Sequence, residues 1–127
     1  MVLFPQTFCK MNSTGNSILK IYASSTDKVG TELLYEYLVL EAKRKDINGV
    51  TVYRGIMGYG SSHRIESARF WELTEKLPVV IEMIDETEKL EDFYQHIENE
   101  LLKVSKGCMV TIQDVEVKLR KLGNSKL

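Results

Sequence analysis

Two stretches of helical periodicity, each set between stretches with the two-residue period of a strand, restrict this chain to a short menu of folds. The first helix is expected from Thr31, a candidate N-cap followed by Glu32, to about Lys45. Tyr35, Leu38, Val39 and Ala42 form its buried stripe, and Asn48-Gly49 lies past its end. The second opens at Asp85, which with Glu88 three residues on reads as a capping box, and runs to about Lys103. Leu90, Phe93, Ile97 and Leu101 face inward there, while Glu91, Gln95, Glu98 and Asn99 make a solvated face. Strands are expected at Ile18–Ser24, Val50–Met57, Val79–Ile84 and Val115–Arg120, each bounded by turn residues. Ile65–Leu73 reads as an extended return segment, with Trp71 packing over the sheet, and Pro78 suits a strand start.

The order β-α-β-loop-β-α-β predicts an α+β fold, a ferredoxin-like sandwich of two helices on one face of an antiparallel sheet. The other sheet face then carries Lys20 and Tyr22, if Leu19, Ile21 and Ala23 meet the helices. The same alternation groups Arg54 with Val50, Val52 and Ile56, and Glu82 with Val80 and Ile84. Lone charges among β-branched neighbours suit a partly covered face. The expectation is self-association through it, with Arg54 and Glu82 as a candidate ion pair.

The chain has 127 residues, enough for one domain and one core. Residues 1–17 read as an N-terminal extension, 18–120 as the domain and 121–127 as a tail. Seventeen Lys+Arg against eighteen Asp+Glu leave a formal charge of -1, so no bulk field recruits nucleic acid or an anionic membrane. Cys9 and Cys108 lack any CxxC or Cys/His ligand spacing and read as reduced thiols, and the N-terminus has no signal-peptide pattern. A cytoplasmic location is the expectation.

One stretch stands out chemically: V-T-V-Y-R-G-I-M-G-Y-G-S-S-H-R at Val50–Arg64. A strand sheds its side chains at Gly55, Gly58 and Gly60 and ends in Ser61, Ser62, His63 and Arg64. Glycine permits positive φ or close backbone approach, and bare N–H groups with hydroxyls and a guanidinium can hold an anion. Tyr59 can stack on or wall off a base. The alternative is a mobile hairpin whose glycines only relieve strain. No nucleophile is paired with a base at usable spacing, and Asp85, Glu86 and Glu88 are better explained by capping than by acid/base chemistry. Catalysis is not expected.

L-Y-E at Leu34–Glu36, G-V-T-V-Y-R-G-I-M-G-Y-G at Gly49–Gly60, S-H-R-I at Ser62–Ile65, L-P-V-V-I-E at Leu77–Glu82 and D-V-E-V at Asp114–Val117 resemble an uncharacterised bacterial and archaeal family. That family is grouped with the PII-like signalling proteins, and the resemblance covers about residues 18–120. It implies a homotrimer with sheets facing the axis and a nucleotide site in the clefts between subunits. Of the candidate ligand-binding set Arg54, Gly58, Tyr59, Gly60, Ser61, Ser62, His63, Arg64 and Gly107, the resemblance implicates Gly58-Tyr59-Gly60, against the nucleotide, and the loop at about Lys106–Thr111 that holds Gly107, over the phosphates. The chain departs from typical PII proteins in offering K-G-C-M-V-T after the second helix and Val79-Val80 after the proline. These departures direct the expectation to AMP or ADP rather than ATP. The regulated target would be a membrane transporter, a channel or an enzyme. The alternative on the same fold is a CutA-like metal-binding or metal-tolerance trimer. That reading needs converging imidazole or thiolate ligands from two His and two Cys.

Overall fold

The computed structural model describes residues 15–61, 63–67 and 76–124. Expectations for Cys9, Ser62 and Trp71 fall outside them, as do those for most of the N-terminal extension, most of the Ile65–Leu73 segment and the last three residues of the tail.

The first strand, β1 (Asn16–Ser24), starts two residues before the expected Ile18 and buries Leu19 and Ile21. Two short strands, β2 (Lys28–Val29) and β3 (Glu32–Leu33), pair across a turn where Gly30 takes φ 63°. Helix α1 (Leu34–Arg44) leads to β4 (Val50–Arg54). A two-rung hairpin follows, β5 (Met57–Gly58) with β6 (Glu66–Ser67). Strand β7 (Pro78–Glu86), helix α2 (Thr87–Lys103) and β8 (Met109–Asp114) complete the described elements. The main sheet has the order β4-β7-β1-β8 and every neighbouring pair is antiparallel. Leu19, Ile21, Val79, Ile81 and Met83 from the sheet meet Leu34, Leu38 and Ala42 of α1 and Leu90, Phe93, Ile97 and Leu101 of α2 in one core. This is the ferredoxin-like α+β sandwich, and the stripe expected for the second helix is the one buried.

Register decides which side chains share a face. Ile18, Lys20 and Tyr22 stand opposite Ile84, Glu82 and Val80, so these six lie on the side away from the helices. Val50, Val52 and Arg54 stand opposite Met83, Ile81 and Val79, which are buried under the helices. Arg54 therefore belongs to the helix side and cannot pair with Glu82 across the open face. The partner of Glu82 is Tyr53, whose hydroxyl donates to its carboxylate. Alternation grouped Arg54 with Val50 and Val52 as observed; the pairing with β7 puts that group on the helix side and not on the open face.

Three further expectations are corrected. Thr31 does not cap α1; Glu32 and Leu33 are held in the β2–β3 ladder, and the Leu34 N–H donates to the Asp27 carbonyl at 2.7 Å. That backbone bond serves the helix entrance without a side-chain cap. Asp85 does not cap α2 either. Its buried carboxylate accepts from the Asn48 N–H at 2.9 Å, the Asn48 amide at 3.0 Å and the Glu86 N–H at 2.8 Å, with Lys89 at 3.4 Å. Burial pushes this carboxyl up, but the amide hydrogens and Lys89 outweigh that and hold it below the usual aspartate range. The last strand is Met109–Asp114 and not Val115–Arg120. Just past it, the Val115 N–H donates to the Asn16 carbonyl at 3.1 Å. The described β1 begins at Asn16, and its ladder with β8 closes with Ser17 opposite Asp114.

Candidate functional site

The second strand does not run through to Met57 as expected. It stops at Arg54, and the Gly55 N–H donates to the Pro78 carbonyl at 2.7 Å. A Cβ on Gly55 would lie 3.0 Å from the Pro78 ring, and one on Gly58 3.4 Å from it. These two glycines thus let the chain cross the proline that opens β7, a close-approach role. None of Gly55, Gly58 and Gly60 adopts a positive φ; among non-glycine described residues His63 does, at 58°, as does Asp46 at the end of α1.

Beyond the crossing, β5 and β6 hold a hairpin whose described tip is Tyr59, Gly60, Ser61, His63, Arg64 and Ile65. The His63 N–H donates to the Gly60 carbonyl at 2.9 Å, and its Nδ1 lies 3.1 Å from the Ser61 carbonyl. The Tyr59 and His63 rings stand 5.7 Å apart between centroids, tilted by 31°. All these tip residues are exposed, Tyr59 by 66% and Ile65 by 56%. The loop after α2 arrives from the other side. A Cβ on Gly107 would lie 2.4 Å from the Ser61 hydroxyl, which χ1 rotation can move aside, and 3.4 Å from the Ser61 Cβ, so the loop and the hairpin tip pack closely here.

Of the sequence-predicted set, the structure gathers Gly58, Tyr59, Gly60, Ser61 and His63 at one tip and brings Gly107 against it. Arg64 is exposed beside His63, and Arg54 is exposed at the end of β4 on the helix side of the sheet. Sequence reasoning missed the floor of this region. Asp27 is buried and accepts from the Ser24 N–H at 2.9 Å, while the Ser24 hydroxyl reaches Glu66 at 3.5 Å. The only sequence signal was the turn composition of Ser24–Asp27, which gives no hint of a partner on β6.

Chemically, the tip offers backbone amides, the Ser61 hydroxyl, the imidazole and a tyrosine ring to a ligand. Burial pushes the Cys108 thiol up, with the Asp27 carboxylate adding to the shift, so this thiol is not poised as a thiolate nucleophile. Among the described residues no group of three or more His, Cys, Asp or Glu could hold a metal ion, and no helix is long and apolar enough to cross a membrane.

Comparison with known proteins gives this geometry its context. The family model of DUF190, "Uncharacterized ACR, COG1993", matches residues 16–117. A UPF0166 protein of Aquifex aeolicus (strain VF5) is 35% identical over 107 residues, spanning 84% of this chain and 97% of that protein. The UPF0166 protein MJ1524 of Methanocaldococcus jannaschii is 40% identical over 97 residues, spanning 73% and 89%. Among solved structures, a PII-like signalling protein from Thermus thermophilus superposes with a TM-score of 0.58 at 20% identity, covering 79% of this chain and 86% of that one. CPII, a nitrogen regulatory PII-like protein from Thiomonas intermedia K12 bound to ADP, AMP and bicarbonate, superposes with a TM-score of 0.56 at 15% identity, covering 84% and 96%. The match over nearly the whole described sandwich, together with the shared fold, makes this chain a member of the DUF190 (UPF0166) family, built on the ferredoxin-like fold of PII-like proteins.

Proposed function

We propose that this protein is a non-catalytic, cytoplasmic PII-like regulatory protein that binds an adenine nucleotide, AMP or ADP, in clefts between the subunits of a homotrimer. The observation that carries the reading is the seating of Gly107 against Ser61. It joins a glycine-pared hairpin tip to a second loop, as an anion-binding seam requires. The nucleotide's phosphate would lie along the amides of Gly58–Ser61 with Arg64 closing on it, and Tyr59 would wall the base. CPII, on the same fold, was solved with ADP and AMP, which supports the ligand class. Ordering of the tip by ligand would then present or withdraw Ile56, Met57, Tyr59 and Ile65, four large apolar side chains that are more than half exposed. A transporter, channel or enzyme is the target class such a surface would contact.

The test is calorimetric titration of the full chain with AMP, ADP and ATP, repeated on Gly107→Val and Arg64→Ala. Micromolar binding of AMP or ADP is expected, weakened in both variants. Silence towards all three nucleotides, or a Gly107→Val protein that binds as well as the parent, would remove the proposal.

A further inference from the structure

The imidazole of His63 is tied down at the hairpin tip by one of its two nitrogens. Its Nδ1 lies 3.1 Å from the Ser61 carbonyl, and a carbonyl only accepts, so Nδ1 carries a hydrogen. The neutral ring is then the Nδ1–H tautomer, and its Nε2 is left with a lone pair. Among the described residues Nε2 makes no hydrogen bond, and the side chain is exposed. A local turn sets this up: the His63 N–H donates to the Gly60 carbonyl at 2.9 Å, and His63 sits at φ 58°, which brings its ring back to Ser61. The neighbouring ring is Tyr59, 5.7 Å away between centroids, with the two planes 31° apart. A base stacked parallel to Tyr59 is tilted from the imidazole plane by the same 31°, within what a hydrogen bond to Nε2 tolerates.

We infer that His63 reads the edge of the base held on Tyr59, accepting the exocyclic amine of adenine at Nε2. The inference rests on the nucleotide site proposed above and names the residue that selects the base. Adenine presents an N–H donor where guanine and hypoxanthine present a carbonyl oxygen. That oxygen sets its lone pairs against the lone pair of Nε2, so an oxopurine is opposed and not merely unsupported. Arg64 cannot make this choice, because a guanidinium only donates. Nor can the Tyr59 ring, which takes the flat face of any base. Uptake of a proton by the imidazole turns Nε2 from acceptor to donor and reverses the preference. The other titratable groups at this place are Tyr59, Arg64 and Glu66 on the hairpin, and Lys106 and Cys108 on the loop that meets Ser61. Glu66 is the acceptor among them at neutral pH, and it faces the Ser24 hydroxyl at the root of the hairpin.

The experiment is calorimetric titration of the full chain with AMP and with inosine monophosphate, each at about pH 8.5 and about pH 5.5. The two nucleotides share sugar and phosphate, so the phosphate's own titration cancels in the ratio of their affinities. AMP is expected to bind about tenfold tighter than inosine monophosphate at the higher pH, the worth of one hydrogen bond. At the lower pH the ratio should fall to about one or below. His63→Asn keeps a residue suited to a left-handed φ and removes the titrating ring, so its ratio should be about one at both pH values. A parent ratio that does not change with pH, or a His63→Asn chain that keeps the parent ratio, overturns the inference and leaves nucleotide binding in place. Silence towards both nucleotides at both pH values removes the nucleotide site as well.

Discussion

Replacing Asp85 with asparagine isolates the most connected buried polar group among the described residues. In the native chain Oδ1 accepts from the Glu86 N–H and the Asn48 amide, and Oδ2 from the Asn48 N–H and Lys89. An asparagine there turns one oxygen into a donor, so at least one backbone N–H faces another N–H. A buried donor left without an acceptor costs about 1–3 kcal/mol. The Lys89 pair adds no more than about 0.5 kcal/mol, because a third of that side chain is in water. The expected loss is about 2–3 kcal/mol. With a urea slope of about 1.5 kcal/mol/M, the midpoint should fall by about 1.3–2 M at fixed protein concentration. The pH dependence supplies a second check. The native carboxyl titrates below the unfolded value of about 3.9, so its contribution is complete above that value and is lost as pH falls through the native one. The gap between parent and Asp85→Asn should be constant from pH 7 to about 5 and narrow below about 4. A midpoint shift smaller than about 0.3 M, or a gap that widens on acidification, would refute the account.

Phe93→Ala should cost about 3–5 kcal/mol in denaturant unfolding, since this ring is 2% exposed and sits between α2 and the sheet; a loss under about 1 kcal/mol would mean the core is not packed as described. The Tyr53 phenol is pushed up by its hydrogen bond to Glu82, with desolvation and the carboxylate's charge adding to it, so Glu82→Gln should move its titration, followed at about 295 nm in a Tyr53→Phe difference experiment, to lower pH. The raised Cys108 thiol should alkylate more slowly than a free cysteine near pH 8, and its rate should climb at a higher pH than that of the reference thiol.

Some of this protein can be read without coordinates. The stripe Leu90, Phe93, Ile97 and Leu101 is buried because residues one turn apart share a helix face whatever lies opposite. Pro78 opens β7, where a missing N–H is harmless. At the site, the glycine-pared hairpin could be located from composition, and Gly107 was drawn in by the resemblance. The roles of the glycines could not be located, since crossing Pro78 and meeting Ser61 are contacts with residues about twenty and forty-six positions away. Arg54 shows the same limit. Its alternation with Val50 and Val52 is local, but which face they occupy depends on pairing Val52 with Ile81.

The sequence by itself determined the two helical faces, the alternating strands and so the ferredoxin-like order, because those patterns follow from backbone periods of 3.6 and 2 residues. Tertiary structure decided the register of β4 on β7, the end of β8 at Asp114, the burial of Asp85 as a tie and not a cap, and the meeting of Ser61 with Gly107. Each of these needs a partner strand or loop brought from far along the chain. Only the folded molecule supplies that partner, because alternating segments look alike until burial chooses among them.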